Sequence, residues 1–301
     1  MKFKFMTWLV AVGLMLGATS VWAAATCTTN PPSFSPSIAY VPTATAVNAT
    51  QLSFTVICTR DNAGSGGNQS VSYAVAATNG TQPSGTQNRA LVNSHYLNYD
   101  FYSDATCTTL WPGVSTTTVS VSKNASSTSV SYSLYVCVPA LQTDTIPTVS
   151  YLDVPSLSIT GTAPNAGGFT ASNTSVNINI TAAPLCSMAF ASGSTVALGA
   201  YTAFGAAKSA SISFNPRCTN THPYTMALDN NGNGVLAGLN YSLGLATTSG
   251  STGTASLTSA GLGVNQTFYI NGNMAAGQAG SCAGGCGVLK TDSTRTLTIT
   301  Y

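Results

Sequence analysis

The chain has 301 residues, and only 5% of them are charged, against about a quarter in an ordinary globular domain. There is no Glu, and once Lys2 and Lys4 near the start are set aside, seven basic residues face seven Asp. No basic patch forms from so few charges, which excludes a nucleic-acid partner, while a hydrophobic content of 44% excludes a disordered chain.

The first element is a leader. Lys2 and Lys4 precede an apolar run from Met6 to about Ala18, and Val21-Trp22-Ala23 and Ala23-Ala24-Ala25 offer small-residue cleavage sites. Residues 1–24 are therefore expected to be a secretory signal peptide, with the mature chain starting near Ala24, Ala25 or Thr26. The run is too short to span a bilayer, and no later run approaches the ~18 apolar residues a span needs, so no membrane span is expected.

In an exported chain, eight cysteines read as disulfides. They fall four and four, and about 275 mature residues suit two domains, placed at 25–182 and 183–301. The elements repeat in order across the two halves. Leu52, Phe54 and Val56 alternate up to Cys58, as Ile212, Phe214 and Pro216 do up to Cys218. Tyr73-Ala74-Val75-Ala76 is matched by Tyr224-Thr225-Met226-Ala227, and Leu97-Asn98-Tyr99 by Leu239-Asn240-Tyr241. Ala140-Leu141-Gln142 is matched by Ala276-Gly277-Gln278, and Leu157-Ser158-Ile159-Thr160 by Leu297-Thr298-Ile299-Thr300. Period-two alternation at Val119/Val121, Val130/Tyr132/Leu134 and Val176/Ile178/Ile180, broken by Gly-, Asn- and Pro-rich turns, predicts strands. The expected fold is all-β, two tandem immunoglobulin-like β-sandwiches.

If consecutive strands run up and down, Cys27, Cys58, Cys107 and Cys137 share one pole, which predicts Cys27–Cys58 and Cys107–Cys137. Cys186–Cys218 follows from the repeat, and Cys282–Cys286 by elimination.

The repeats end differently. The first continues past Thr160 into Thr174–Ile180, whereas the second ends at Tyr301, just past its match to Thr160. The second domain is thus expected to lack its last strand and to accept one from another chain. The alternative is that it uses fewer strands, or that residues 169–182 belong to its own start. At most three mature residues precede Cys27, too few for a donor extension of roughly ten residues. The expected subunit accepts a strand, gives none, and sits at the end of a polymer.

The segment from Cys186 through Phe214, Cys218, Tyr224, Leu239-Asn240-Tyr241 and Gln278 to Leu297–Tyr301 resembles the spore coat protein U domain, and the first half resembles a divergent copy. The resemblance implies an incomplete immunoglobulin-like pilin fold of archaic (Csu-type) chaperone–usher pili. Implied partners are a periplasmic chaperone, an outer-membrane usher and the N-terminal donor strand of the adjacent subunit. Implied localisation is export through the periplasm to the pilus tip at the cell surface. Two-domain members look like tip adhesins that attach to abiotic or host surfaces and promote biofilm formation. A structural spore or cell-coat protein is the alternative. Cys282-Ala283-Gly284-Gly285-Cys286 departs from the usual pattern.

No enzyme is expected. His95 and His222 are the only histidines, no Gly-x-Ser-x-Gly elbow occurs, and seven scattered Asp give no carboxylate pair. No cofactor or metal is expected either. Asp229–Gly234 matches half of a calcium loop, but its twelfth position is Asn240, so a β-turn is expected instead. Adhesion is assigned to apolar residues in loops expected at the far pole: Val41, Pro42, Ala44, Ala46, Val47, Leu91, Ala163, Pro164 and Phe169. The alternative is that they pack inward. Tyr96, Tyr99 and Trp111 are candidates for a carbohydrate or protein ligand.

Overall fold

A computed structural model describes residues 24–60, 67–123, 127–147, 149–163, 169–191, 193–281 and 287–301. The expected signal peptide, Pro164 and the Cys282–Cys286 pair lie outside the described residues.

The N-terminal half begins with β1 (Ala25–Asn30), β2 (Ser33–Phe34), β3 (Ser37–Tyr40), β4 (Asn48–Arg60) and β5 (Gln69–Ala77). It continues through β6 (Asn88–Val92), β7 (His95–Tyr102), β8 (Val114–Val121), β9 (Ser127–Val138) and β10 (Ser150–Asp153). It ends with β11 (Ser156–Thr162), β12 (Phe169–Ala171), β13 (Thr174–Val176) and β14 (Ile178–Ala182). The C-terminal half holds β15 (Cys186–Phe190), β16 (Lys208–Cys218), β17 (Pro223–Leu228), β18 (Asn233–Leu236) and β19 (Leu239–Ala246). Its last strands are β20 (Ser256–Ala260), β21 (Phe268–Met274) and β22 (Leu297–Thr300). Among the described residues the one helical element is a 3-10 turn at Asp229–Gly232, and no helix is long and apolar enough to cross a membrane.

These strands follow from period-two patterning. Along β4, Leu52, Phe54, Val56 and Cys58 point inward while Gln51, Ser53 and Thr55 point outward. A nine-stranded sheet runs β12-β1-β4-β9-β7-β6-β10-β14-β3, and a five-stranded sheet runs β2-β13-β11-β5-β8. Their inner faces enclose one core, with Tyr73, Tyr99, Leu134, Leu157 and Ile180 fully buried. The C-terminal half builds a second, separate core between β15-β16-β21-β19-β18 and β20-β17-β22. The fold is all-β and immunoglobulin-like.

Three disulfides close: Cys27–Cys58, Cys107–Cys137 and Cys186–Cys218. The shared pole does not survive. Cys58 pairs across from Thr128 near the end of β4, whereas Cys137 pairs with Ala49 near its start. The two N-terminal bridges therefore sit at opposite ends of a 13-residue strand, on the order of 40 Å long. The up-and-down assumption fails at Pro31, which has no N–H to continue the ladder. There β1 gives way to β2, which lies in the other sheet, and then to β3 back in the first.

Candidate functional site

The two halves share a set of matching strands. Cys27 lies directly across from Cys58, as Cys186 does from Cys218. β11 pairs antiparallel with β5, and β22 pairs antiparallel with β17. The likeness stops at the next strand. In the N-terminal half the second edge of β11 is covered by β13, and β14 continues between β10 and β3. Among the described residues, no strand covers the second edge of β22.

That edge opens a groove. Val176, Ile178 and Ile180 seal the N-terminal core, each at 1% exposure or less, leaving Leu157 and Ile159 buried. Their counterparts Leu297 and Ile299 are only partly buried against the C-terminal core. Across the groove, Thr29 is 5% exposed beneath Thr174, but the matching Met188 is 38% exposed. Phe190 and Val196 are likewise only partly buried. The segment that would match β2 and β3, residues 193–207, contains no strand, since the partners β13 and β14 have no equivalent.

At one end of the groove, Arg295 holds the start of β22. Its Nε donates to Asp229 Oδ1 at 2.9 Å and Nη1 to the Asn233 carbonyl at 2.7 Å. Burial pushes the Asp229 carboxyl up, but hydrogen bonds from Arg295 and the Thr296 backbone, together with the Arg295 charge, outweigh it and hold the group below its ordinary range. The Tyr241 hydroxyl donates to Asp292 and lowers that carboxyl as well. Tyr99 makes the matching bond to Asp153 Oδ2 at 2.7 Å in the N-terminal half. Asp229, the first residue of the half-matched calcium loop, is thus spent on an ion pair.

The expected adhesive residues do not come together. Val41 and Val47 are 43% and 42% exposed and Ala46 is exposed, but Ala44 is half-buried and Pro42 is buried. This loop leads into the start of β4, and Pro42 and Thr43 lie against Arg217, Thr219 and Gly263 of the C-terminal half. It faces the junction, not the far pole. Phe169 pairs with Ala25 at the other end of β4 and packs against the core, and Ala163 is 8% exposed. Leu91 is on a strand, opposite Tyr96 and Leu152. Around it is an apolar patch that sequence reading missed, with Leu152 and Val154 exposed and the Arg89 guanidinium 4.2 Å from the centre of the Tyr96 ring. The alternation Leu152/Val154 against Tyr151/Asp153 was the available signal. Tyr99 is buried, Trp111 packs edge-on to Phe54, and His95 Nδ1 lies 2.6 Å from Asp144 Oδ1.

Against known proteins, residues 15–157 match the family model of the Spore Coat Protein U domain. The match falls on the N-terminal half of the chain. This is the half expected to be the divergent copy, and the resemblance read through Cys186–Tyr301 lies outside the matched residues. No curated protein sequence matches the chain. Among solved structures, one similar chain is in the CsuC–CsuE chaperone–tip adhesion subunit pre-assembly complex from archaic chaperone-usher Csu pili of Acinetobacter baumannii. It is 13% identical, with a TM-score of 0.48, covering 91% of this chain and 100% of that one. The CupB6 tip adhesin of Pseudomonas aeruginosa is 12% identical, with a TM-score of 0.38, covering 93% and 96%. CfaE, the adhesive subunit of CFA/I fimbria of enterotoxigenic Escherichia coli, is 11% identical, with a TM-score of 0.29, covering 89% and 96%.

Proposed function

We propose that this chain is a non-enzymatic pilus adhesin, with an adhesive domain at 25–182 and a strand-accepting domain at 183–301. The observation that carries the reading is the uncovered edge of β22, beneath which Leu297 and Ile299 stay half-exposed while Leu157 and Ile159 are sealed. A bare strand edge beside apolar side chains is a template for strand addition. The Spore Coat Protein U family supplies the assembly route: export to the periplasm, capture by a chaperone, passage through an outer-membrane usher, and completion by an adjacent subunit's donor strand. In this reading the chain sits at the pilus tip and attaches the cell to surfaces, promoting biofilm formation. The adhesive contacts are apolar, with Val41, Ala46 and Val47 as exposed candidates joined by Leu91 and Leu152 on the sheet.

The test is strand complementation of the full mature chain. A synthetic peptide with alternating apolar residues, copied from a shaft subunit's N-terminal extension, is added and thermal unfolding is followed. A rise of several degrees in the lower transition supports the reading. An unchanged transition in a stable monomer overturns it and favours a structural coat protein.

A further inference from the structure

A second site lies on the outer face of the large N-terminal sheet, away from the open edge of β22. Its origin is the departure of β1. The ladder between β1 and β4 ends at the pair Asn30↔Thr55, because Pro31 cannot donate the next hydrogen bond. Alongside the stretch of β4 that β1 leaves, a groove of about 380 Å³ opens. Asn30, Gln51, Ser53, Thr55, Ser131 and Ser133 line it, together with Phe54 and Tyr132.

The lining is unusual in three respects. It carries no formal charge. Its Asn, Gln, Ser and Thr side chains project to solvent from consecutive outward positions of β4 and β9, a rigid central pair of strands, and from the end of β1. Apart from a long 3.3 Å contact between Thr55 and Ser131, these side chains make no hydrogen bonds within the described residues. The Asn30 and Gln51 amides and the Ser53 and Ser133 hydroxyls are therefore free, and together they offer both donors and acceptors. Tyr135, directly across from Gln51, and Tyr102, directly across from Tyr135, are half-buried on the same face and set phenol rings at one end.

We propose that this groove binds a neutral oligosaccharide. The volume falls within the ~300–1,000 Å³ of small-ligand sites, and the lining mixes amides and hydroxyls with Phe54 and Tyr132, so a purely apolar ligand would leave the polar groups unpaired. An anionic glycan or a phosphate would find no cation in it. A neutral sugar presents hydroxyls that match free amides and hydroxyls, and a C–H face that packs on a phenol ring. Single-site affinity is low, because ordering side chains and ligand offsets much of the contact energy, and display of many pili on one cell raises it by avidity.

Affinity electrophoresis of the full mature chain decides the matter, with dextran, mannan or galactomannan in the gel, and heparin or polygalacturonate as anionic counterparts. Retardation by at least one neutral polymer and by neither anionic one is expected. Ser53→Trp, which fills the groove, and the double variant Asn30→Ala/Gln51→Ala should each weaken retardation at least fivefold with an unchanged melting temperature. Ser256→Ala, exposed on β20 of the C-terminal half, should leave it intact. No retardation by any neutral polymer overturns the proposal. So does equal retardation by heparin, or full retardation of the folded Ser53→Trp chain. Strand complementation is read by melting, so failure of either proposal leaves the other standing.

Discussion

Gln142 holds the backbone of Asn98 from both sides: the Asn98 N–H donates to Gln142 Oε1 at 2.7 Å, and Gln142 Nε2 donates to the Asn98 carbonyl at 3.0 Å. The Gln142 N–H donates in turn to the Tyr40 hydroxyl at 2.8 Å. The same clamp recurs at Gln278, which bonds Asn240 at 2.7 and 2.9 Å and donates its N–H to the Tyr201 hydroxyl at 2.9 Å. Each clamp ties the turn after a long strand to a neighbouring strand, at the middle of β7 for Asn98 and near the start of β19 for Asn240. Replacing Gln142 by Met keeps the volume and leaves the Asn98 groups unpaired. At about 1 kcal/mol per lost bond, the expected destabilisation is about 2 kcal/mol, read as a lower urea midpoint at constant slope. Gln278→Met should lower the midpoint of the C-terminal half by a similar amount.

The clamp also marks how far sequence reading reaches. Gln142 and Gln278 were aligned from the pattern around them, as were Asn98 and Asn240, because the spacing of strands repeats. Tyr40 and Tyr201 were not aligned, since the segment between Tyr201 and its cysteine is longer and irregular. Leu141 hides its role altogether: it has φ 56°, matching Gly277 at φ 77°, and nothing in a leucine announces a left-handed turn. The far pole of the N-terminal half was misread for a related reason. Alternation gives the face of each strand but not its end, and the switch of sheets at Pro31 reverses which loops share an end.

Burial differences at matched positions predict unequal costs. Leu157→Ala removes a side chain at 1% exposure and should destabilise the N-terminal half by about 3 kcal/mol. Leu297→Ala removes a half-exposed one and should cost about 1 kcal/mol in the free chain. Once a complementing peptide fills the groove, the cost at Leu297 should rise toward that at Leu157. Denaturant titration with and without peptide checks this, and equal costs in both states would mean that nothing packs on Leu297.

Acid should loosen the C-terminal half. Asp229 and Asp292 are held below their ordinary range in the folded state, so their contribution is present above the unfolded carboxylate range near pH 4 and is lost as pH falls through the lowered folded values. In the N-terminal half the two shifts oppose: hydrogen bonds from Thr106, Thr108 and Thr109 lower Asp104, while burial raises Asp100. The transition assigned to the C-terminal half should therefore fall more steeply below pH 4. Arg295→Gln removes the ion pair to Asp229 and should flatten that slope. Melting curves from pH 2.5 to 7 read both effects.

The junction is set by a close approach. Gly263 has φ +69°, and a Cβ there would lie 1.9 Å from the Thr143 carbonyl oxygen of the N-terminal half. The Asn220 N–H donates to the Thr145 carbonyl at 2.9 Å beside it. Gly263→Val should force the two halves apart while leaving both cores intact. Faster proteolytic cleavage between residues 139 and 149, with two preserved melting transitions, is the expected result.

Apolar adhesion is best probed where side chains are exposed and nothing in the core depends on them. Phe169 fails that condition, since its ring lies within 3.1 Å of a Cβ built on Gly161 and packs on the core, so Phe169→Asn would confuse adhesion with folding. Val41→Asn and Val47→Asn test the junction loop, and Leu152→Asn tests the sheet patch around Leu91. All three positions are more than 40% exposed, so stability should change by less than about 0.5 kcal/mol. If water-excluding contact drives attachment, cell retention on polystyrene should drop several-fold for the variants in one region and not the other. Equal retention for all three would sink the apolar assignment and leave the polar groove on β4 and β9 as the adhesive face.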